Sequence, residues 1–157
     1  DIINVAYILE LIAELDPYSE DYSEKRQHIL DTMIKDAGMR GKAKLIDGFI
    51  QKNVDEDKEN FINGRNKADG TSELEERLNQ YIASERNKAV YDLADEEQIS
   101  AEVLNLYIKE YDYLQKEQPE IIQKALKEKH LGLIKTRKAL TRIMERLRNI
   151  IRTFNWE

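Results

Sequence analysis

The longest regular patterning in the chain lies between Leu133 and Phe154. Leu133, Leu140, Met144, Leu147, Ile151 and Phe154 mostly recur at steps of three and four, and Ile143 and Ile150 widen the same stripe. This spacing predicts an amphipathic helix roughly 30 Å long. At about 100° per residue, Lys135, Lys138, Arg142 and Arg146 fall opposite the stripe, with Arg137, Arg148 and Arg152 along one flank. One face belongs to a core and the other to something anionic.

Similar periodicity organises the rest of the chain. Val5, Ile8, Leu9, Ile12 and Leu15 share a helical face that Asp16-Pro17 ends, because the residue before proline avoids the α region. Ser19 or Asp21 can cap a second helix bearing Tyr22, Ile29, Leu30, Met33, Ile34 and Ala37, with Gly38 as its stop. A short apolar helix follows over Leu45–Ile50. Residues 53–71 are polar and carry Asn63-Gly64 and Asp69-Gly70 turn signals, so a mobile loop is expected there, pinned once at Phe61-Ile62. Ser72-x-x-Glu75 reads as a capping box opening a long helix with Leu74, Leu78, Tyr81, Ile82, Ala89 and Leu93 on its buried side, and a break near Ser84. Beyond Asp95-Glu-Glu97, Ser100 can cap a helix carrying Val103, Leu104, Tyr107, Ile108 and Tyr111. Pro119 suits the first position of a helix running to Lys129. The expectation is an all-α protein: a single irregular domain over residues 1–157 with about six to seven helices, ending in the long basic amphipathic helix.

Composition agrees with this class and narrows the chemistry. Two prolines and six glycines in 157 residues favour helices over a sheet, and the absence of cysteine excludes disulfides and thiolate metal sites. No apolar run approaches the roughly 18 residues of a membrane span, and no signal-peptide layout opens the chain, so a cytoplasmic protein without a membrane partner is expected. The start at Asp1, already within a helical pattern, suggests a piece of a longer chain. Charge changes the picture more. Lys124 to Arg152 holds ten Lys/Arg against Glu128 and Glu145, whereas residues 1–123 hold 15 against 28 Asp/Glu. A local basic helix in an acidic protein suits a nucleic-acid surface, or docking onto acidic helices of this chain or another, or simply a solvated face whose Lys/Arg answer acidic neighbours.

Candidate catalytic chemistry is sparse. His28 and His130 stand a hundred residues apart, and no Ser/His/Asp set, HExxH or glycine-rich cradle after a strand is written here, so no catalytic or metal-binding residue is assigned. Around Asp55-Glu-Asp57 the glycine and terminal glutamate of an EF-hand loop are missing. Arg40, Lys42 and Lys44 lie between glycines, but lack the spacing of a phosphate loop. They read either as solvated cations of a helix-helix turn or as phosphate-backbone contacts. Tyr107 and Tyr111, one turn apart, suit base stacking or, more simply, helix packing. A free-standing enzyme is the weakest reading.

Several short elements together resemble a known family. Tyr7-Ile-Leu-Glu-Leu-Ile12, Lys44-Leu-Ile-Asp-Gly-Phe-Ile50, Glu96-Glu-Gln-Ile99, Tyr107-Ile-Lys-Glu-Tyr111, Pro119 and Thr153-Phe-Asn-Trp156 are similar to the C-terminal region of the motor (restriction, R) subunit of type I restriction-modification enzymes, in particular the IC-like systems. The resemblance implies a parent protein with a nuclease domain and two helicase-like ATPase lobes. That parent would use ATP and magnesium to translocate and cleave DNA. It also implies docking onto a methyltransferase core of modification and specificity subunits. Neither the nuclease carboxylates and lysine nor the ATP-binding loop has a match in this chain, so no cofactor is expected in this domain.

Together these readings predict a non-catalytic accessory domain that serves assembly and touches double-stranded DNA without reading its sequence. Lys135, Lys138, Arg142 and Arg146 are the expected DNA contacts, with Arg40, Lys42 and Lys44 as a second patch. Trp156 and Phe154 are candidates for docking onto protein or for closing the core. The alternative is a pure protein-docking module with no DNA contact.

Overall fold

The structure, a computed structural model, describes residues 3–65, 70–114 and 137–156. Among these residues it is all-helical. The described residues hold seven α-helices, α1 (Val5–Ala13), α2 (Tyr22–Lys35), α3 (Ala43–Ile50), α4 (Lys58–Arg65), α5 (Gly70–Glu97), α6 (Ala101–Leu114) and α7 (Arg137–Phe154). A 3₁₀ turn (Arg40–Lys42) precedes α3, and a π turn (Gln51–Asp55) extends it. The chain divides into two compact units, Asp1–Ala83 with Trp156–Glu157, and Ser84–Asn155. The division falls at the predicted break near Ser84, yet α5 runs through it as continuous helix. The expected helix after Pro119 lies outside the described residues, as do Lys135 and His130.

In the first unit the helix ends are set by side chains. Asn4 accepts the Tyr7 N–H at 3.0 Å and starts α1. Asp36, not Gly38, stops α2. It turns extended, and its carboxylate accepts the N–H groups of Gly38 at 2.9 Å and Met39 at 3.1 Å. Arg40 Nε then donates to the Ile34 carbonyl at 2.7 Å, satisfying one of the acceptors that a helix leaves open at its C-terminus. Ile46, Phe49 and Ile50 of α3 are fully buried, each contributing roughly 1.5–3 kcal/mol of apolar transfer. At Gly48 of this helix the hydroxyl oxygen of Tyr81 of α5 occupies the space where a Cβ would stand. The Tyr81 ring meets Phe49 edge-on, centroids 5.7 Å apart.

Two expectations are corrected here. Most of the described part of residues 53–71 is helical rather than loop. Val54 of the π turn and Phe61 of α4 are both buried, and this sparse apolar pair outweighs the polar composition around it. Likewise, α5 begins at Gly70, so Ser72 and Glu75 sit inside the helix rather than forming its cap.

Beside this core Arg26 ties three elements of the unit together. Its guanidinium meets Asp47 Oδ1 at 2.6 Å and Asp55 Oδ2 at 3.0 Å, and donates to the Asp47 carbonyl at 3.2 Å. The Tyr22 hydroxyl donates to the other oxygen of Asp55. The π turn brings Asp55 to this position on the side facing α2, one residue after the buried Val54.

Candidate functional site

The chain is uninterrupted by glycine or proline from Arg137 to Phe154, so α7 runs without a kink-forming residue. Ile143, Met144, Leu147 and Ile150 are buried in one cluster with Val90, Leu93 and Ala94 of α5 and Ile99 and Leu104. Phe154 packs at the margin of that cluster, which is the core-closing role. The buried line therefore runs through Ile143 and Ile150, the positions expected only to widen the stripe, while Ile151 is half-buried. Lys138 and Arg152 are exposed.

The middle of the basic face is engaged within its own unit. Arg142 forms a two-bond fork with Glu97, Nε to Oε1 at 2.8 Å and the terminal nitrogen to Oε2 at 2.7 Å. One turn on, Arg146 pairs with Glu96. The Arg142 hydrogen bond holds the Glu97 carboxyl below its ordinary range, and the same bond raises the guanidinium. Side-chain exposure is 53% for Arg142, 35% for Arg146 and 60% for Glu96, but only 12% for Glu97. These are surface pairs with one inner anchor.

The end of α5 places those two glutamates. Gln98 takes the left-handed conformation, φ 53°, and the Ile99 N–H returns to the Ala94 carbonyl at 2.9 Å. Ile99 and Ala94 are both buried in the second-unit cluster. This is a Schellman ending with glutamine where glycine is usual. Glu96 and Glu97 thereby occupy the last turn of α5, where the helix dipole disfavours negative charge, and the two arginines supply the compensating charge.

The second basic patch belongs to the other unit and is dispersed. Arg40 is spent on the α2 carbonyl. Lys42 is half-buried with its ammonium 5.5 Å from the centroid of the Trp156 ring, and desolvation lowers its pKa. Lys44 is exposed on α3. Trp156 thus belongs with the first unit and Phe154 with the second, instead of one aromatic pair. The side chains of Tyr107 and Tyr111 lie outside the description.

Sequence reasoning allowed for acidic helices of this chain as partners of the basic helix but did not single out Glu96 and Glu97. The available signal was opposite charge on two patterned helices, but a separation of 45 residues hid the match. It also missed the Arg26 network, whose members look individually like surface charge.

The first unit carries two hollows: an open one of about 360 Å³ bordered by Asn4, Met39, Lys42 and Trp156, within the roughly 300–1,000 Å³ of ligand pockets, and a smaller one of about 120 Å³ lined by Ala13, Phe61, Gly64, Arg65, Glu73, Leu74 and Arg77. The charged groups of the smaller hollow have internal partners: Arg65 donates to the Leu15 carbonyl at 2.7 Å and Arg77 pairs with Glu73 at 3.2 Å. Among the described residues no group of three or more His, Asp or Glu could hold a metal ion, and no helix is long and apolar enough to cross a membrane.

Residues 1–154 match the family model described as type I restriction and modification enzyme, subunit R C terminal. The chain belongs to this family. No curated protein and no solved structure matches it. In this subunit R C-terminal chain, the element Leu45 to Ile50 that carried part of the resemblance is α3, with Ile46, Phe49 and Ile50 in the interior. Those three residues pack the interior of the first unit.

Proposed function

We propose that this C-terminal chain is a non-catalytic accessory domain of the motor subunit, acting in the cytoplasm in assembly with the modification and specificity subunits and contacting duplex DNA through its backbone. The carrying observation is the two-sidedness of α7: four apolar residues enter the core, while Lys138, Arg142, Arg146 and Arg152 stand on the outer side as a cationic strip. Cations in such a strip meet phosphates and position a duplex without reading bases. ATP and magnesium, which the family resemblance implies for the parent, are expected to act in its other parts. The Arg40–Lys42 segment forms a 3₁₀ turn ahead of α3, not a phosphate cradle after a strand, so no step of this reading passes through either.

A second reading, protein docking without DNA, is favoured by the Arg142–Glu97 and Arg146–Glu96 pairs, since they already satisfy half of the strip with carboxylates. Binding of the chain to a short duplex over a range of salt separates the two. Neutral glutamine in place of Lys138, Arg142 and Arg146 is preferable to charge reversal, which would set new carboxylates against Glu96 and Glu97. On the first reading the triple variant loses binding and the wild type shows a log-log salt slope of about −0.9 per phosphate neutralised. Salt-sensitive assembly with the methyltransferase core, together with no duplex binding at low salt by either the wild type or a Glu96→Gln/Glu97→Gln chain, selects the second.

A further inference from the structure

We propose that Glu96 and Glu97 form an internal acidic latch on α7, holding Arg142 and Arg146 until the phosphates of duplex DNA displace them. This inference rests on the DNA-contact reading above and adds its regulation. Three observations converge on it.

First, the partners match the ligand. A guanidinium that forks onto a carboxylate presents the same parallel donors that it offers to a phosphate, and Arg142 is in that fork on Glu97. Arg146 makes a single contact with Glu96 one turn, about 6 Å, along α7. Two anions in sequence on one strip of cations imitate a charged backbone.

Second, the latch is built to release. Both arginines and Glu96 keep a third or more of their side-chain surface exposed, so the Arg146–Glu96 pair is weak and screened by salt, while Glu97, 12% exposed, anchors the Arg142 fork more firmly. The glutamates sit at the negative end of α5, so the dipole opposes them. Neither arginine has to leave a buried site to exchange partners. The apolar side of α7, through Ile143, Met144, Leu147 and Ile150, stays in the core whichever anion the outer side holds.

Third, the cation beside the pairs is already open. Lys138, one turn before Arg142, is exposed, so a backbone can engage it first and then compete along the strip.

The test uses the 157-residue chain and a labelled short DNA duplex, titrated at several salt concentrations, with three variants: Glu96→Gln/Glu97→Gln, Glu96→Ala/Glu97→Ala, and Lys138→Gln/Arg142→Gln/Arg146→Gln. The alanine pair removes the amide oxygens that glutamine could still offer the arginines. Far-UV circular dichroism and melting check that each variant is folded. Opening the latch removes the competition for two cations, so both glutamate variants bind about tenfold tighter or more at low salt, with a similar slope because the displaced arginines meet the same phosphates in the wild-type complex. Wild-type binding that is lost in the triple variant, but is unchanged in folded glutamate variants, overturns the latch and leaves the DNA face standing. If neither wild type nor the glutamate variants bind at low salt, the DNA reading fails and the latch with it. Binding that appears only in the glutamate variants is the strongest support.

Discussion

Gly48 offers a sharp check on the packing of the first unit, because helix propensity and tertiary structure predict opposite signs there. In the interior of an isolated helix, glycine to alanine stabilises by about 1 kcal/mol. Here the new Cβ would collide with the Tyr81 hydroxyl oxygen, while the ring carbon bearing it stands 3.5 Å away, an ordinary contact. Tyr81 is held edge-on against the fully buried Phe49, so the rigid ring cannot swing aside without disturbing that contact. Overpacking of this kind costs typically about 1–3 kcal/mol. Gly48→Ala is therefore expected to be net destabilising by roughly 0–2 kcal/mol with Tyr81 present. In a Tyr81→Phe background the obstructing oxygen is gone, and the same change should stabilise by up to about 1 kcal/mol. The double-mutant cycle then shows a coupling of about 1–3 kcal/mol, whatever Tyr81→Phe alone costs through its hydroxyl. Urea unfolding followed by circular dichroism, with hydrogen exchange of α3 amides to assign the change to the first unit, measures all four corners. Equal effects of Gly48→Ala in both backgrounds would refute the claim that Tyr81 dictates this glycine.

Other predictions follow from single interactions. Gln98→Gly should stabilise the second unit by about 0.5–1 kcal/mol, because the left-handed position costs an ordinary residue roughly 1–2 kcal/mol and glycine returns part of that as chain entropy; an alanine at the same position, equally strained, should give no such gain in melting temperature. Arg26→Met leaves Asp47 and Asp55 facing one another without their cation, an expected loss of about 1–3 kcal/mol for partly exposed groups, and Arg26→Lys should restore little of it because an ammonium cannot fork onto both. The Tyr22 hydroxyl is raised above its ordinary pKa of 10.0, first by burial and then by the Asp55 bond. The folded state thus keeps that proton longer than the unfolded chain, so the contribution is fully present below pH 10 and is lost as pH rises beyond it. A Tyr22→Phe chain should lack that part of the alkaline decline in melting temperature, and an identical pH profile for the two would exclude the assignment.

The chain's own pattern determined the class and the placement of most helices. Apolar residues at three- and four-residue steps with almost no proline can bury a face only as helices, and this is a local property. It also determined the two-sided character of the last helix and the family, through short elements such as Lys44–Ile50 and Thr153–Trp156. Which partners those faces meet is not local. The pairing of Arg142 with Glu97, 45 residues away, depends on α5 and α7 sharing one apolar cluster, and the same holds for Arg26 between Asp47 and Asp55. A polar segment such as 58–65 becomes helical because a core accepts Phe61, although its composition reads as loop. Phe154 and Trp156, two residues apart, go to different units. Periodicity states that a face must be covered; only the tertiary arrangement chooses the cover, because burial and charge pairing act between segments that the sequence keeps far apart.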